Sequence, residues 1–241
     1  MNRTQGTSIR RTLGTACMML ALLATPLLSR AETSMQQVEG LWAYTGLTSS
    51  GGKSMPLTGI FLFKDGSFIQ QAVFNGEPYF KQSAMAHSGP YSAIEGGVHL
   101  VAEQTLSLSP ANPLSSNGVT EHDLAVTRDD DGLTLVFGSG TVQTLRRIGD
   151  AADAKIVALE HGMLALVDEH FLVVSGDDSY AVTGYGRYRQ QGDRYFIEVI
   201  RWAETDGAET ISARDAVISA TYDGKTLRLP GGRVLKVSGG A

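Results

Sequence analysis

The sequence predicts an all-β protein made of antiparallel meander β-barrels, two units in tandem, and three observations carry that expectation. Short apolar runs of strand length alternate with tight turns rich in glycine and aspartate. No convincing amphipathic helix follows the first thirty-one residues. The order of strands and turns in the first half recurs in the second, and closure of each meander into a barrel would remove its exposed edges.

The chain is organised around residues 59–68, Gly-Ile-Phe-Leu-Phe-Lys-Asp-Gly-Ser-Phe, which read as two strands joined by Asp65-Gly66. This dipeptide supplies the positive φ angles that a two-residue hairpin requires. Residues 162–171, Gly-Met-Leu-Ala-Leu-Val-Asp-Glu-His-Phe, repeat the apolar run, the acidic turn residue and the aromatic re-entry.

Residues 1–31 stand apart. Arg3, Arg10 and Arg11 give a basic start, residues 13–28 are mostly small and apolar, and Ser29-Arg30-Ala31 suits a signal peptidase. We expect a cleaved export signal ending at Ala31, and hence a periplasmic or secreted protein. The alternative, a transmembrane anchor, is disfavoured by Gly14, Thr15, Thr25 and Pro26 and by a run shorter than the roughly 20 apolar residues a span needs. Arg10-Arg11-Thr12-Leu13 partly matches a twin-arginine signal, although an ordinary secretory signal suits the stretch better.

Removal of the signal takes four of the 20 basic residues and none of the 25 acidic ones, leaving 16 against 25 and a net charge of −9 over 210 residues. An acidic chain without a basic run argues against nucleic acid and anionic lipid as partners. Cys17, the only cysteine, lies within the signal. The mature chain is therefore expected to have no disulfide, thiol nucleophile or thiolate metal site, and to hold itself together by its core.

After the polar spacer 32–37, residues 38–44 form an aromatic-rich strand, and residues 49–54 a Gly/Ser loop. Residues 67–74 mix Phe68, Ile69, Val73 and Phe74 with Gln70 and Gln71, as a strand with one wet face would. Residues 89–94 turn at Glu95-Gly96-Gly97 into a run alternating from Val98 to Leu108. There Val98, Leu100, Ala102, Leu106 and Leu108 share one face, while His99, Glu103, Thr105 and Ser107 share the other. Residues 109–119 read as an exposed loop. Strands around 122–127, 133–137 and 141–148 complete a first unit of about eight strands over residues 38–148. Residues 149–154 are a linker, and a helical turn or two fits within 151–160.

In the second unit, residues 155–238, Gly186-Arg187-Tyr188 echoes Gly89-Pro90-Tyr91, and residues 195–202 sit where 98–105 sat. The offsets drift from 103 to 97 to 92, so loops shorten while strands keep their order. An offset of 97 sets Tyr195, Ile197 and Val199 over Val98, Leu100 and Ala102.

Gly40-Leu41-Trp42 in the opening strand, Pro56 before a strand ending in Lys64-Asp65-Gly66-Ser67-Phe68, Gly89-Pro90-Tyr91 followed by Glu95-Gly96-Gly97-Val98-His99-Leu100, and Leu133-Thr134-Leu135 with Leu145-Arg146-Arg147 together resemble the bacterial lipocalin-like domain of the calycin group. The resemblance covers residues 38–148 with a degenerate second copy that lacks the Gly-x-Trp opening. It implies a ligand-binding cup but does not name the ligand; the export signal and the repeated barrel pattern lead us to expect a small hydrophobic or aromatic ligand and no cofactor.

Candidate groups divide into two sets. His87, Tyr91 and His122 are the acid/base candidates of the first unit. The plain alternatives are a solvated loop residue for His87 and a hydrogen-bonded core residue for His122. Trp42, Tyr188, Glu198, Arg201 and Trp202 are the ligand-binding candidates, arginine and aromatic groups suiting an acidic or phenolic ligand. For those of the second unit, the alternative is a cross-strand ion-pair ladder on an outer face. The histidines lack metal-ligand spacing, and no Gly-x-Ser-x-Gly elbow or phosphate loop occurs. The leading expectation is an exported binder of a small apolar or aromatic molecule. The alternative is a cofactor-independent isomerase, lyase or hydratase, with an envelope interaction protein as a third class.

Overall fold

A computed structural model describes residues 34–206 and 209–239; the expected export signal lies outside these residues. The chain is nearly all β, in two antiparallel barrel-like sheets. The first contains β1 (Gly40–Thr48), β2 (Ser54–Met55), β3 (Leu57–Lys64), β4 (Ser67–Phe74), β5 (Ser83–Ile94), β6 (Gly97–Ala102), β7 (Gln104–Ser109), β8 (Asn112–Ser116), β9 (Thr120–Asp129), β10 (Gly132–Phe137) and β11 (Val142–Gly149). Around the barrel the order is β4, β3, β1, β11, β10, β9, β6, β5, and pairing of β5 with β4 closes the ring at eight strands.

The second sheet contains β12 (Lys155–Leu159), β13 (Gly162–Val167), β14 (His170–Gly176), β15 (Ala181–Gln191), β16 (Arg194–Thr205), β17 (Thr210–Ala213), β18 (Ala216–Tyr222), β19 (Thr226–Arg228) and β20 (Val234–Lys236). Eight of these run in the order β12, β13, β14, β15, β16, β18, β19, β20. A single bridge between Leu159 and Val237 nearly closes them. Residues 155–159 thus form a strand where a helical turn was expected, because Ile156 and Val157 pair with Ala165 and Leu164 of the next strand.

The two organising hairpins form as the turn chemistry predicts. Lys64 pairs with Ser67 across Asp65 and Gly66, which have φ of 48° and 76°. Val167 pairs with His170 across Asp168 and Glu169, at 44° and 62°. Their apolar runs do not alternate, because both faces of these strands are buried. Trp42, Phe61, Phe63 and Phe68 fill the first barrel, while Leu41, Ile60, Leu62 and Ile69 face outward. That outward face meets Met163, Ala165, Leu172 and Val174 of the second sheet in a layer between the barrels. Leu164, Phe171, Val173 and Trp202 in turn fill the second barrel.

Besides the register shifts of β1 against β11, each barrel contains a one-residue slip that changes which side chains point inward. In the first, Tyr91 pairs with Leu100 but Ser88 pairs with Gln104, so the strand bulges at Glu103. Alternation from Val98 to Leu108 is therefore interrupted. Val98, Leu100 and Ala102 face the barrel core, while Leu106 joins the layer between the barrels and Thr105 is buried. Gly89 stands at the slip, where an added Cβ would lie 2.0 Å from the carbonyl oxygen of Val101. In the second barrel the slip falls between Tyr185 and Gly186. Tyr195, Ile197 and Val199 occupy the interior there as the 97-residue offset predicts.

Residues 109–119 are not simply a loop. β8 pairs with β7, and Leu114 is buried in the layer between the barrels. Leu114 N–H donates to Thr210 Oγ1 of the second sheet at 2.9 Å. Residues 75–82 make a polar contact across the same boundary. The Arg201 guanidinium lies 4.2 Å from the Tyr79 ring centroid and donates from Nη1 to Gln82 Oε1 at 3.2 Å. Arg214 lies 4.9 Å from the same ring and 2.7 Å from Glu77 Oε1.

Candidate ligand cavity

The first barrel is a cup with one stoppered end. Residues 34–38 form a short helical turn, and the Trp42 indole N–H donates to the Val38 carbonyl at 2.7 Å. Arg128 and Arg147 lie 5.5 and 5.9 Å from the Trp42 ring, and Arg128 also donates to the carbonyls of Gln36 and Gln37. Tyr91 belongs to this closed end. Its ring meets Phe63 edge-on at 5.2 Å and its hydroxyl donates to Glu39 at 3.5 Å. Burial, and then the Glu39 charge, hold its phenol far above the ordinary range.

Toward the other end the barrel keeps a cavity of about 130 Å³. Phe61, Phe68, Phe74 and Phe137 supply its aromatic walls. The hollow exists because Ala72 and Ala102 put only methyl groups on the inner face where neighbouring inward positions carry large side chains. No charged residue lines it; its polar members are Gln70, His87, His122 and Gln143.

Three of the inward polar groups form a relay. The Tyr44 hydroxyl donates to Gln70 Oε1 at 2.7 Å, which orients the amide so that Gln70 Nε2 donates to His87 Nδ1. The imidazole is thereby fixed as the tautomer with its proton on Nε2. Burial, reinforced by the neighbouring His122, lowers the His87 pKa to about 4, so the ring is neutral near pH 7. His122 is half-buried, with its pKa also lowered by burial, and its ring lies 6.2 Å from His87 and 5.6 Å from Phe137, edge-on to each. Gln143 completes the set on β11. Its Oε1 is buried, and its amide makes no hydrogen bond among the described residues.

His87 is a buried strand residue, not a solvated loop histidine, since β5 already begins at Ser83. It shares the cavity with His122, whereas Tyr91 lies in the closed end. Trp42 is fully buried in the stopper. Tyr188 packs at the core of the second barrel with Tyr195 at 5.6 Å. Glu198 is exposed and pairs with Arg187, Arg201 lies against Tyr79 at the boundary between barrels, and Trp202 is inside the second barrel. The slip at Gly186 separates Trp202 from Glu198, which simple alternation would put on one face: Val199 is inside before the slip and Trp202 is inside after it, while Glu198 and Arg201 both lie outside.

Tyr44, Gln70 and Gln143 were not among the sequence candidates. Phase would have found them, since Gln70 alternates with Phe68 and Ala72, and Gln143 with Leu145, all inward. Comparison with family models, curated proteins and solved structures gives no match to this chain.

Proposed function

We propose that the chain is an exported, lipocalin-like protein that binds a small, largely apolar or aromatic molecule in the cavity of its first barrel, without a cofactor. The observation that carries this reading is a hollow walled by four phenylalanines with a few convergent polar groups, the usual make-up of a small-molecule site. Its volume is close to that of an apolar cavity of about 150 Å³ known to accept benzene, so one ring is the natural size of guest. The basic and apolar composition of residues 1–31 supports the exported part of the reading.

Thermal denaturation in the presence of single-ring compounds tests it. A ligand at 100 times its Kd should stabilise the fold by about 2.7 kcal/mol. Ala102→Leu, which fills the hollow, should abolish that shift while leaving the β circular dichroism intact. Failure of every small hydrophobic compound to shift the transition would end this reading.

One observation supports a second reading, a cofactor-independent isomerase, lyase or hydratase. Two neutral imidazoles, His87 and His122, line one cavity with their rings edge-on at 6.2 Å, so that both can face a single guest. Proton exchange at a carbon of a bound ring compound, followed by deuterium uptake, would distinguish turnover from carriage.

A further inference from the structure

Resting on that reading, we infer the chemical class of the guest: a neutral, single-ring phenol whose hydroxyl donates to Gln143 Oε1 and accepts from the Nε2–H of His87. Gln143 provides the first contact. A buried amide oxygen without a partner costs roughly 1–3 kcal/mol, and this one lies on the cavity wall with no donor to meet it among the described residues. A guest that brings a donor removes that cost.

Topology supplies the second contact. β11, which carries Gln143, is four strands from β5, which carries His87, in either direction around the closed ring. The two side chains therefore stand on opposite walls, both lining the same hollow. Since Nδ1 of His87 is occupied by Gln70, and Gln70 is itself held by Tyr44, the imidazole offers its remaining nitrogen as a donor. A hydroxyl is the small group that both donates to one wall and accepts from the other.

The rest of the lining selects the remainder of the molecule. Four phenylalanine rings and two alanine methyls suit a flat apolar body, and about 130 Å³ suits one ring. With no charged residue at the wall, a carboxylate would enter without compensation for its lost water. Benzoate should therefore be excluded.

Titration calorimetry of the full chain with phenol, anisole, toluene and benzoate tests the inference, because the first three differ little in size but differ in donating and accepting. Phenol is expected to bind at least tenfold more tightly than anisole or toluene, with benzoate not bound. Gln143→Met should reduce the phenol preference to threefold or less while toluene still binds. Equal binding of phenol, anisole and toluene to the unaltered chain would overturn the inference and leave the ligand cavity standing, as would tighter binding of benzoate. A phenol preference that survives Gln143→Met would overturn the role given to Gln143. Should none of the four bind, the cavity reading itself falls, and the inference falls with it.

Discussion

Gln70 and Gln71, adjacent on β4, point to opposite sides of the sheet and differ completely in how their amides are satisfied. Gln70 faces the cavity and bonds both Tyr44 and His87. Gln71 is 2% exposed, on the strand face that carries Ile69 into the layer between the barrels, and neither end of its amide has a partner among the described residues. Burying an amide without hydrogen bonds opposes folding, whereas burying one with two is close to neutral. Gln71→Met is therefore expected to raise stability by about 1–2 kcal/mol, and Gln70→Met to lower it by a similar amount. Urea denaturation of both variants checks the pair, and opposite signs at neighbouring positions are the result to look for.

A second prediction concerns the slips. At Gly89 and Gly186 an added Cβ would lie 2.0 and 2.2 Å from the backbone carbonyl oxygens of Val101 and Glu198. Neither acceptor is a flexible side chain, so the strands must move apart. Alanine at either position should destabilise by about 1–3 kcal/mol, in the range of overpacked cores. Gly138→Ala, with open space around its Cβ and no positive φ, should change stability by less than about 0.5 kcal/mol. Melting temperatures of the three variants decide it.

These positions mark the boundary of what the sequence discloses. The hairpin at Asp65-Gly66 is legible because its geometry is local: two residues that tolerate positive φ, between apolar runs. The slips are not, because register is a property of two strands and nothing in residues 98–108 alone says that Gly89 will face Val101. Everything downstream of a slip inherits the change of face. For that reason Thr105 is buried inside where simple alternation would have left it outside, and Trp202 rather than Arg201 continues the interior row of Tyr195, Ile197 and Val199, while Val98, Leu100, Tyr195 and Ile197, upstream of the slips, obey their pattern. The cavity was legible in part. His122 lines it, but residues 67–74 read as a strand with one wet face because the second barrel, which dries the face of β4 that carries Gln71, is a hundred residues away.

Acid should act on the fold through His87. Its native pKa of about 4 lies below the roughly 6.5 of an unfolded histidine, so the unfolded chain takes up the proton first as pH falls. The contribution of the neutral ring is complete above pH 6.5 and is lost progressively as pH falls from 6.5 to 4, amounting to about 3 kcal/mol at the lower end. His87→Gln, which cannot titrate, should show a correspondingly shallower fall in melting temperature over that window. Parallel curves for the two proteins would mean that the His87 pKa is the same in the folded and unfolded chains, and that burial does not lower it.

The layer between the barrels should make them unfold together. β3 and β4 on one side, β13 and β14 on the other, bury apolar side chains on both faces, so separation would expose Ile60, Leu62 and Ile69 against Met163, Leu172 and Val174 to water at once. Each fully buried aliphatic side chain returned to solvent forfeits about 1.5–3 kcal/mol, and a barrel standing alone would forfeit several. A half-folded chain is thus disfavoured relative to both the native and the fully unfolded states, which is the condition for a single cooperative transition. Calorimetry should give one peak with calorimetric and van't Hoff enthalpies in agreement. Leu62→Ala in the first sheet and Leu172→Ala in the second should each cost about 2–5 kcal/mol and move that one peak down by roughly 5 to 15 °C. Two resolved peaks, with each substitution shifting only the peak of its own barrel, would show instead that the layer joins two bodies that fold independently.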